Sequence, residues 1–120
     1  MPEERRRTPR IRAYHPVRLQ RPGTAPVVET LTKDLSSAGL RCLSSTWFPV
    51  TSDLHVELVL ASGAAPITIR GKAAWFGMIP HSDQLELGIS FQEIDPADKR
   101  RLSAYLDRVS ASAPEAVQIL

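Results

Sequence analysis

Regular alternation of apolar and polar residues in three segments constrains the fold of this chain more than any other feature. These segments are residues 54–60, 67–75 and 85–91, and weaker ones of the same kind are residues 14–20, 27–31 and 40–43. A period of two is typical of a strand that buries one face. Ten prolines and six glycines recur between the segments and favour turns. The sequence therefore predicts six short strands.

The period changes after residue 94. Asp95 is typical of a helix N-cap and Pro96 of a first helical residue, and Asp98 suits the positive end of the helix dipole. An apolar stripe with helical spacing follows, made of Leu102, Tyr105, Leu106 and Val109. The sequence therefore predicts one C-terminal helix after the strands.

Six strands that each have one solvent-exposed face form a closed barrel most simply, because closure removes exposed strand edges. We therefore predict a fold dominated by β-structure, a six-stranded antiparallel β-barrel with one C-terminal α-helix. Its 120 residues form a single domain. The predicted organisation is a basic N-terminal arm over residues 1–13, the barrel over 14–94, the helix over 95–110 and a tail over 111–120. Trp75 and Phe91 are predicted core residues, whereas Trp47 and Phe48 lie in a loop as candidates for contact with a partner.

Several function classes are disfavoured by the composition. No apolar run approaches the roughly 18–20 residues that span a bilayer, so we expect no membrane insertion. The charged N-terminus lacks the apolar region of a secretory signal, which predicts a cytoplasmic protein. Cys42 is the single cysteine, so an internal disulfide is excluded and no metal-binding spacing is present; its parity with Leu40 predicts a buried position. No nucleophile, base and orienting group can be assembled, so we expect no enzyme, no catalytic residue and no cofactor.

Charge is distributed unevenly along the chain. Seven arginines and two glutamates give residues 1–21 a net charge of +5, whereas the whole chain carries +2. The remaining residues must then carry −3. A basic arm on a mildly acidic body predicts an anionic ligand. Arginine also offers a planar fork for bidentate recognition and stacking, which lysine does not.

Two short motifs become informative together. Arg6 and Arg10 form an RxxxR pattern ahead of the first predicted strand, and residues 34–39 form a DxSxxG pattern with Asp34, Ser36 and Gly39. Guanidinium groups match guanine O6 and N7 bidentately and can stack on the purine. The Asp34 carboxylate can accept from guanine N1–H and N2–H₂, and Ser36 can donate or accept beside it. The pair of motifs therefore points to a guanine nucleotide.

The order of the two motifs, with strands at residues 71–75 and 87–91 and a helix after Asp95, resembles the bacterial PilZ domain family over residues 5–109. The resemblance implies a cyclic di-GMP-binding sensor or adaptor in second-messenger signalling, with an unidentified protein effector and no DNA or RNA partner. Arg6 and Arg10 would hold guanine bases and phosphate, and Asp34 and Ser36 would complete a base pocket. Gly39 would permit a backbone conformation or a close ligand approach. Arg5, just before the motif, adds a guanidinium that could accommodate a stacked pair of ligands.

Two other functions stay open at this stage. A PilZ-fold adaptor could contact a protein partner directly, for example in pilus or motility machinery, without depending on the nucleotide. The presence of both motifs favours ligand binding over this alternative. An oligonucleotide-binding barrel is also compatible with a basic arm, but it calls for exposed aromatics, and aromatics are only 6% of the chain.

Overall fold

The computed structural model describes residues 11–23 and 27–112, and these residues form seven strands and one helix. In chain order the strands are β1 (Ile11–Arg12), β2 (Pro16–Gln20), β3 (Val28–Leu35), β4 (Gly39–Ser44), β5 (Asp53–Leu58), β6 (Ile67–Met78) and β7 (Leu85–Ile94). The helix α1 follows over Pro96–Ser112. All strand pairings are antiparallel.

Six of the strands close into a barrel in the order β3-β2-β5-β6-β7-β4, with β4 pairing back onto β3. The predicted six-stranded antiparallel barrel with one C-terminal helix is therefore confirmed. The short β1 is additional and pairs with β3. Its residues Ile11 and Arg12 were assigned to the arm by sequence, and the structure instead attaches them to the barrel wall.

The interior of the barrel follows the alternation of the sequence. In β5, Leu54, Val56 and Leu58 are at most 1% exposed, while the intervening residues lie on the outer face. Ile67 and Ile69 of β6 are fully buried in the same way. Burying an aliphatic side chain of this size contributes about 1.5–3 kcal/mol. This set of inward side chains fixes the register of the barrel, because a slip by one residue would turn them all outward.

Two predictions about aromatic residues are corrected by the structure. Trp75 is 40% exposed and not in the core, because an irregularity in the β6–β7 register between Ala73 and Trp75 turns the ring to the outer face. There it lies over Gly88, where a Cβ would be 2.4 Å from the Trp75 Nε1 atom. Phe91 packs partly buried against the core, as predicted. Phe48 is 3% exposed and therefore belongs to the core, unlike its neighbour Trp47.

The helix begins as the sequence predicts. The Ala97 amide donates to Asp95 Oδ2 at 3.2 Å, so Asp95 caps a helix whose first residue is Pro96. The helix continues to Ser112, two residues beyond the predicted end. Leu102 is buried against the barrel, and the Tyr105 hydroxyl is 2.5 Å from His15 Nε2. Among the described residues, no helix has the length and apolar character needed to cross a membrane.

Candidate functional site

The DxSxxG segment runs from the end of β3 through a tight turn to the start of β4, and Ser36 stabilises this turn from inside. The buried Ser36 hydroxyl accepts from the amides of Ala38 at 3.1 Å and Gly39 at 3.2 Å, and it donates to the Gly39 carbonyl at 3.3 Å. A hydroxyl has one donor and two acceptor positions, so these contacts use all of them. Ser36 thus shapes the turn, and a direct contact with a ligand would require one of these bonds to be exchanged.

Gly39 is where β4 passes very close to β7. A Cβ at this position would lie 2.3 Å from the carbonyl oxygen of Ile89. The Phe91 amide donates to the Ala38 carbonyl at 2.8 Å, which holds the turn against β7. The glycines with positive φ among the described residues are Gly23 and Gly63. Gly39 is therefore not required for an unusual backbone conformation, which was one role that the sequence left open. It is required because the backbone of β7 lies too close for a side chain.

Asp34 is only 5% exposed and is paired with Arg41 across the turn. The Arg41 Nε–H donates to Asp34 Oδ2 at 2.6 Å, and Arg41 Nη2 contacts the same oxygen. The hydrogen bond to Asp34 raises the pKa of the Arg41 guanidinium above its usual value. The acceptor predicted for guanine is therefore an acid held in the barrel wall by a cation.

Two further charged residues extend this ion pair across the outer face. Glu86 of β7 has its Oε1 atom 3.8 Å from Arg41 Nη1 and its Oε2 atom in contact with Lys33 Nζ. We call Lys33, Asp34, Arg41 and Glu86 the charged cluster. Sequence reasoning missed three of its members. The position of Arg41 could have been predicted from the sequence. A tight turn that pairs Leu35 with Leu40 also places Arg41 opposite Asp34.

Strand β1 brings the start of the described chain to this turn. Ile11 is opposite Leu35 and Arg12 is opposite Asp34 in the β1–β3 pairing. The Ala13 amide donates to the Lys33 carbonyl at 3.2 Å, so the pairing continues past β1. Arg5, Arg6 and Arg10 lie outside the described residues.

Two cavities lined by described residues bear on where a ligand could bind. One of about 420 Å³ lies over β5 and β6, but its charged side chains are already paired: Lys72 with Asp53 at 2.7 Å and Arg70 with Glu93 at 2.8 Å. Equal numbers of paired acids and bases give no preference for an anion. A smaller cavity of about 190 Å³ lies between the turn and α1, lined by Ile11, Ser37, Ser103, Leu106, Asp107 and Ser110. The residues of the two motifs favour the surface beside this second cavity as the candidate ligand site.

The fold and the site together define a small β-barrel module with a buried acid next to the β3–β4 turn and with the short strand β1 paired against it. The sequence matches the PilZ domain over residues 4–108, and the chain belongs to the PilZ domain family. Comparison with curated proteins gives no significant match.

Solved structures share the architecture at low sequence identity. The Bacillus subtilis inhibitor of motility MotI/DgrA is 20% identical with a TM-score of 0.76, and the match covers 90% of this chain and 52% of that one. The PilZ domain of YcgR from Escherichia coli with c-di-GMP is 17% identical with a TM-score of 0.69, covering 97% and 99%. The K. pneumonia MrkH–c-di-GMP complex is 21% identical with a TM-score of 0.75, covering 92% and 55%. The chain thus spans about half the length of MotI and of MrkH.

Proposed function

We propose that this chain is a cyclic di-GMP-binding sensor or adaptor domain, whose arginine arm closes over a ligand held against the β3–β4 turn. The observation that carries the proposal is the β1–β3 pairing of Arg12 with Asp34, because Arg12 follows the RxxxR motif by two residues in sequence and lies opposite the first residue of the DxSxxG motif. Family membership supports the same ligand, because the YcgR PilZ domain and MrkH are described in complex with c-di-GMP.

The chemistry of the site suits the two parts of this ligand. The Asp34 carboxylate is the acceptor for guanine N1–H and N2–H₂, and Arg6 and Arg10 supply forks for guanine O6 and N7 and for the phosphates. Cyclic di-AMP carries the same phosphates but presents an adenine amine where guanine has an acceptor. The proposal therefore predicts discrimination between the two dinucleotides by the bases and a shared attraction through the phosphates.

Closure of the arm is the proposed output of binding. Residues 1–10, which precede β1, are polar and charged with few apolar anchors, and we expect them to change from mobile to ordered when the ligand binds. Ordering costs about 1–2 kcal/mol per residue, which charge-assisted hydrogen bonds to the ligand would offset. The changed surface would then be recognised by a protein effector.

A second candidate function is a protein-interaction adaptor independent of the nucleotide. It is favoured by exposed apolar side chains at the barrel end where β6 meets β7. Met78 is 73% exposed and Trp47 is 56% exposed, with the Trp47 ring 6.1 Å from that of Phe76. Exposed patches of this kind are common at protein interfaces. This candidate predicts effector binding that is unchanged by cyclic di-GMP.

Calorimetric titration with cyclic di-GMP, cyclic di-AMP and GTP tests the proposal. Arg10→Ala and Asp34→Ala should each weaken cyclic di-GMP binding by about 1–3 kcal/mol, or roughly 5- to 150-fold. Arg70→Ala is the matched control, because it removes an arginine whose side chain is 74% exposed and paired with Glu93. Equal affinity for the two dinucleotides, or unaltered affinity in both site variants, would contradict the proposal.

The number of ligands per chain depends on Arg5. Two stacked cyclic di-GMP molecules bring four phosphates together, so the proposal assigns the guanidinium of Arg5 to this added charge. The wild type should bind two ligands per chain at saturation. In Arg5→Ala the stoichiometry should fall toward one, while the affinity for the first ligand changes less. A wild-type stoichiometry of one would remove this part of the proposal and leave the ligand class untouched.

A further inference from the structure

Arg41 is a charged residue outside both motifs that is placed to control the carboxylate at the centre of the site. Asp34 is almost entirely buried, and a buried carboxylate is costly unless it is paired and hydrogen-bonded. Arg41 provides that pairing through Nε at 2.6 Å and through Nη2, and both contacts go to Asp34 Oδ2. One side chain therefore supplies countercharge and orientation together.

The other members of the charged cluster limit where the guanidinium can lie. Glu86 Oε1 is 3.8 Å from Arg41 Nη1, on the side of the guanidinium away from Nε, and Lys33 neutralises Glu86 in turn. The Arg41 side chain is 38% exposed, whereas the Asp34 side chain is only 7% exposed. The Arg41 guanidinium thus lies at the surface between Asp34 of β3 and Glu86 of β7, and the Asp34 carboxylate beneath it is nearly buried.

We propose that Arg41 is a positioning residue for cyclic di-GMP, which holds the Asp34 carboxylate in a fixed orientation as the acceptor for guanine. This inference rests on the proposed function, because it concerns the same site. Guanine N1–H and N2–H₂ are two adjacent donors, and the oxygens of one carboxylate can accept from both when the carboxylate is held in a fixed orientation. Arg41 acts through Asp34, and its effect on binding must therefore disappear when Asp34 is no longer an acid.

A double-mutant cycle measures this dependence. Arg41→Met keeps an unbranched stem and removes the charge, Arg41→Lys restores a charge without the planar fork, and each is combined with Asp34→Asn. Affinity for cyclic di-GMP is measured by calorimetry at ligand concentrations up to the millimolar range. Arg70→Ala is the control, and the thermal midpoint of each variant verifies that it is folded.

We expect Arg41→Met to weaken binding about tenfold, the equivalent of one hydrogen bond to a charged group. Arg41→Lys should recover part of that loss, and Arg41→Met should change affinity less than about twofold in the Asp34→Asn background. A structural role alone would lower affinity in both backgrounds to the same extent.

Each contrary result has a distinct meaning. Unchanged or tighter binding by Arg41→Met overturns the inference and leaves the proposed function standing. An equal loss in both backgrounds overturns it as well, because Arg41 would then act on the ligand directly or on the fold. Absence of binding by the wild type overturns the proposed function and this inference with it.

Discussion

Replacing Gly39 by alanine tests the closeness of β4 and β7 at the turn. The added Cβ would lie 2.3 Å from the Ile89 carbonyl oxygen and 3.3 Å from its carbonyl carbon. Carbon–oxygen contacts of this type are normally about 3.3–3.6 Å, so the strands must separate by about 1 Å at this point. No flexible side chain can yield instead, because the obstructing atoms are backbone.

The cost follows from what this separation disturbs. Gly39 is opposite Ser90 at the start of the β4–β7 pairing, and the adjacent hydrogen bond from the Phe91 amide to the Ala38 carbonyl is 2.8 Å. Overpacking costs about 1–3 kcal/mol and a weakened backbone hydrogen bond about 0.5–1.5 kcal/mol. We therefore expect Gly39→Ala to lower the free energy of unfolding by about 2–4 kcal/mol and the Tm by about 8–16 °C.

Urea and thermal unfolding followed by circular dichroism measure this loss. Gly77→Ala is the matched control, because Gly77 also lies in a strand and its nearest obstruction is Trp75 Cζ3 at 3.9 Å. It should change stability by no more than about 0.5 kcal/mol. If Gly39→Ala were as stable as Gly77→Ala, the reasoning that places β7 backbone against Gly39 would be wrong.

Three further predictions concern burial, pH and the arm. Burial raises the pKa of the Cys42 thiol to about 12, so Cys42 should resist alkylation at pH 8 in the folded protein and react when urea unfolds it; rapid native labelling would contradict this. Burial lowers the pKa of His15 from 6.5, so on acidification the unfolded state binds a proton before the folded state does. The free energy of unfolding should therefore fall as the pH drops below about 6.5. An equal fall in His15→Asn would show that other groups cause the loss. Backbone NMR relaxation should show residues 1–10 mobile without cyclic di-GMP and ordered with it, and an arm that is rigid in both states would exclude closure as the switch.

The barrel and the helix could be predicted because their residues obey simple periods. The alternation in β5 and the start of β6 gives burial directly, and Asp95 followed by Pro96 gives the start of α1. Trp75 could not be placed in this way, because the register shift between Ala73 and Trp75 in the β6–β7 pairing puts Trp75 opposite Gly88 on the outer face. Nothing in the local sequence of residues 71–78 marks the position of that irregularity.

The candidate site was predictable in its motifs but not in its electrostatics. Asp34, Ser36 and Gly39 were identified from spacing, and the structure places Ser36 in the β3–β4 turn, Asp34 near the end of β3 and Gly39 at the start of β4. The hydrogen bonds of Ser36 and the contact of Gly39 with β7 depend on how the turn packs, which the motif does not specify. Glu86 reaches Arg41 from a strand that is distant in sequence, so only the closed barrel brings them together.

The location of the ligand tests the central claim most directly. Amide ¹H–¹⁵N spectra recorded during addition of cyclic di-GMP should show the largest shifts at the turn and the adjacent β1, including Arg12, Ala38 and Gly39. The cavity over β5 and β6, which includes Lys72, should be nearly unaffected. Shifts centred on that cavity, or no shifts at saturating ligand, would contradict the account.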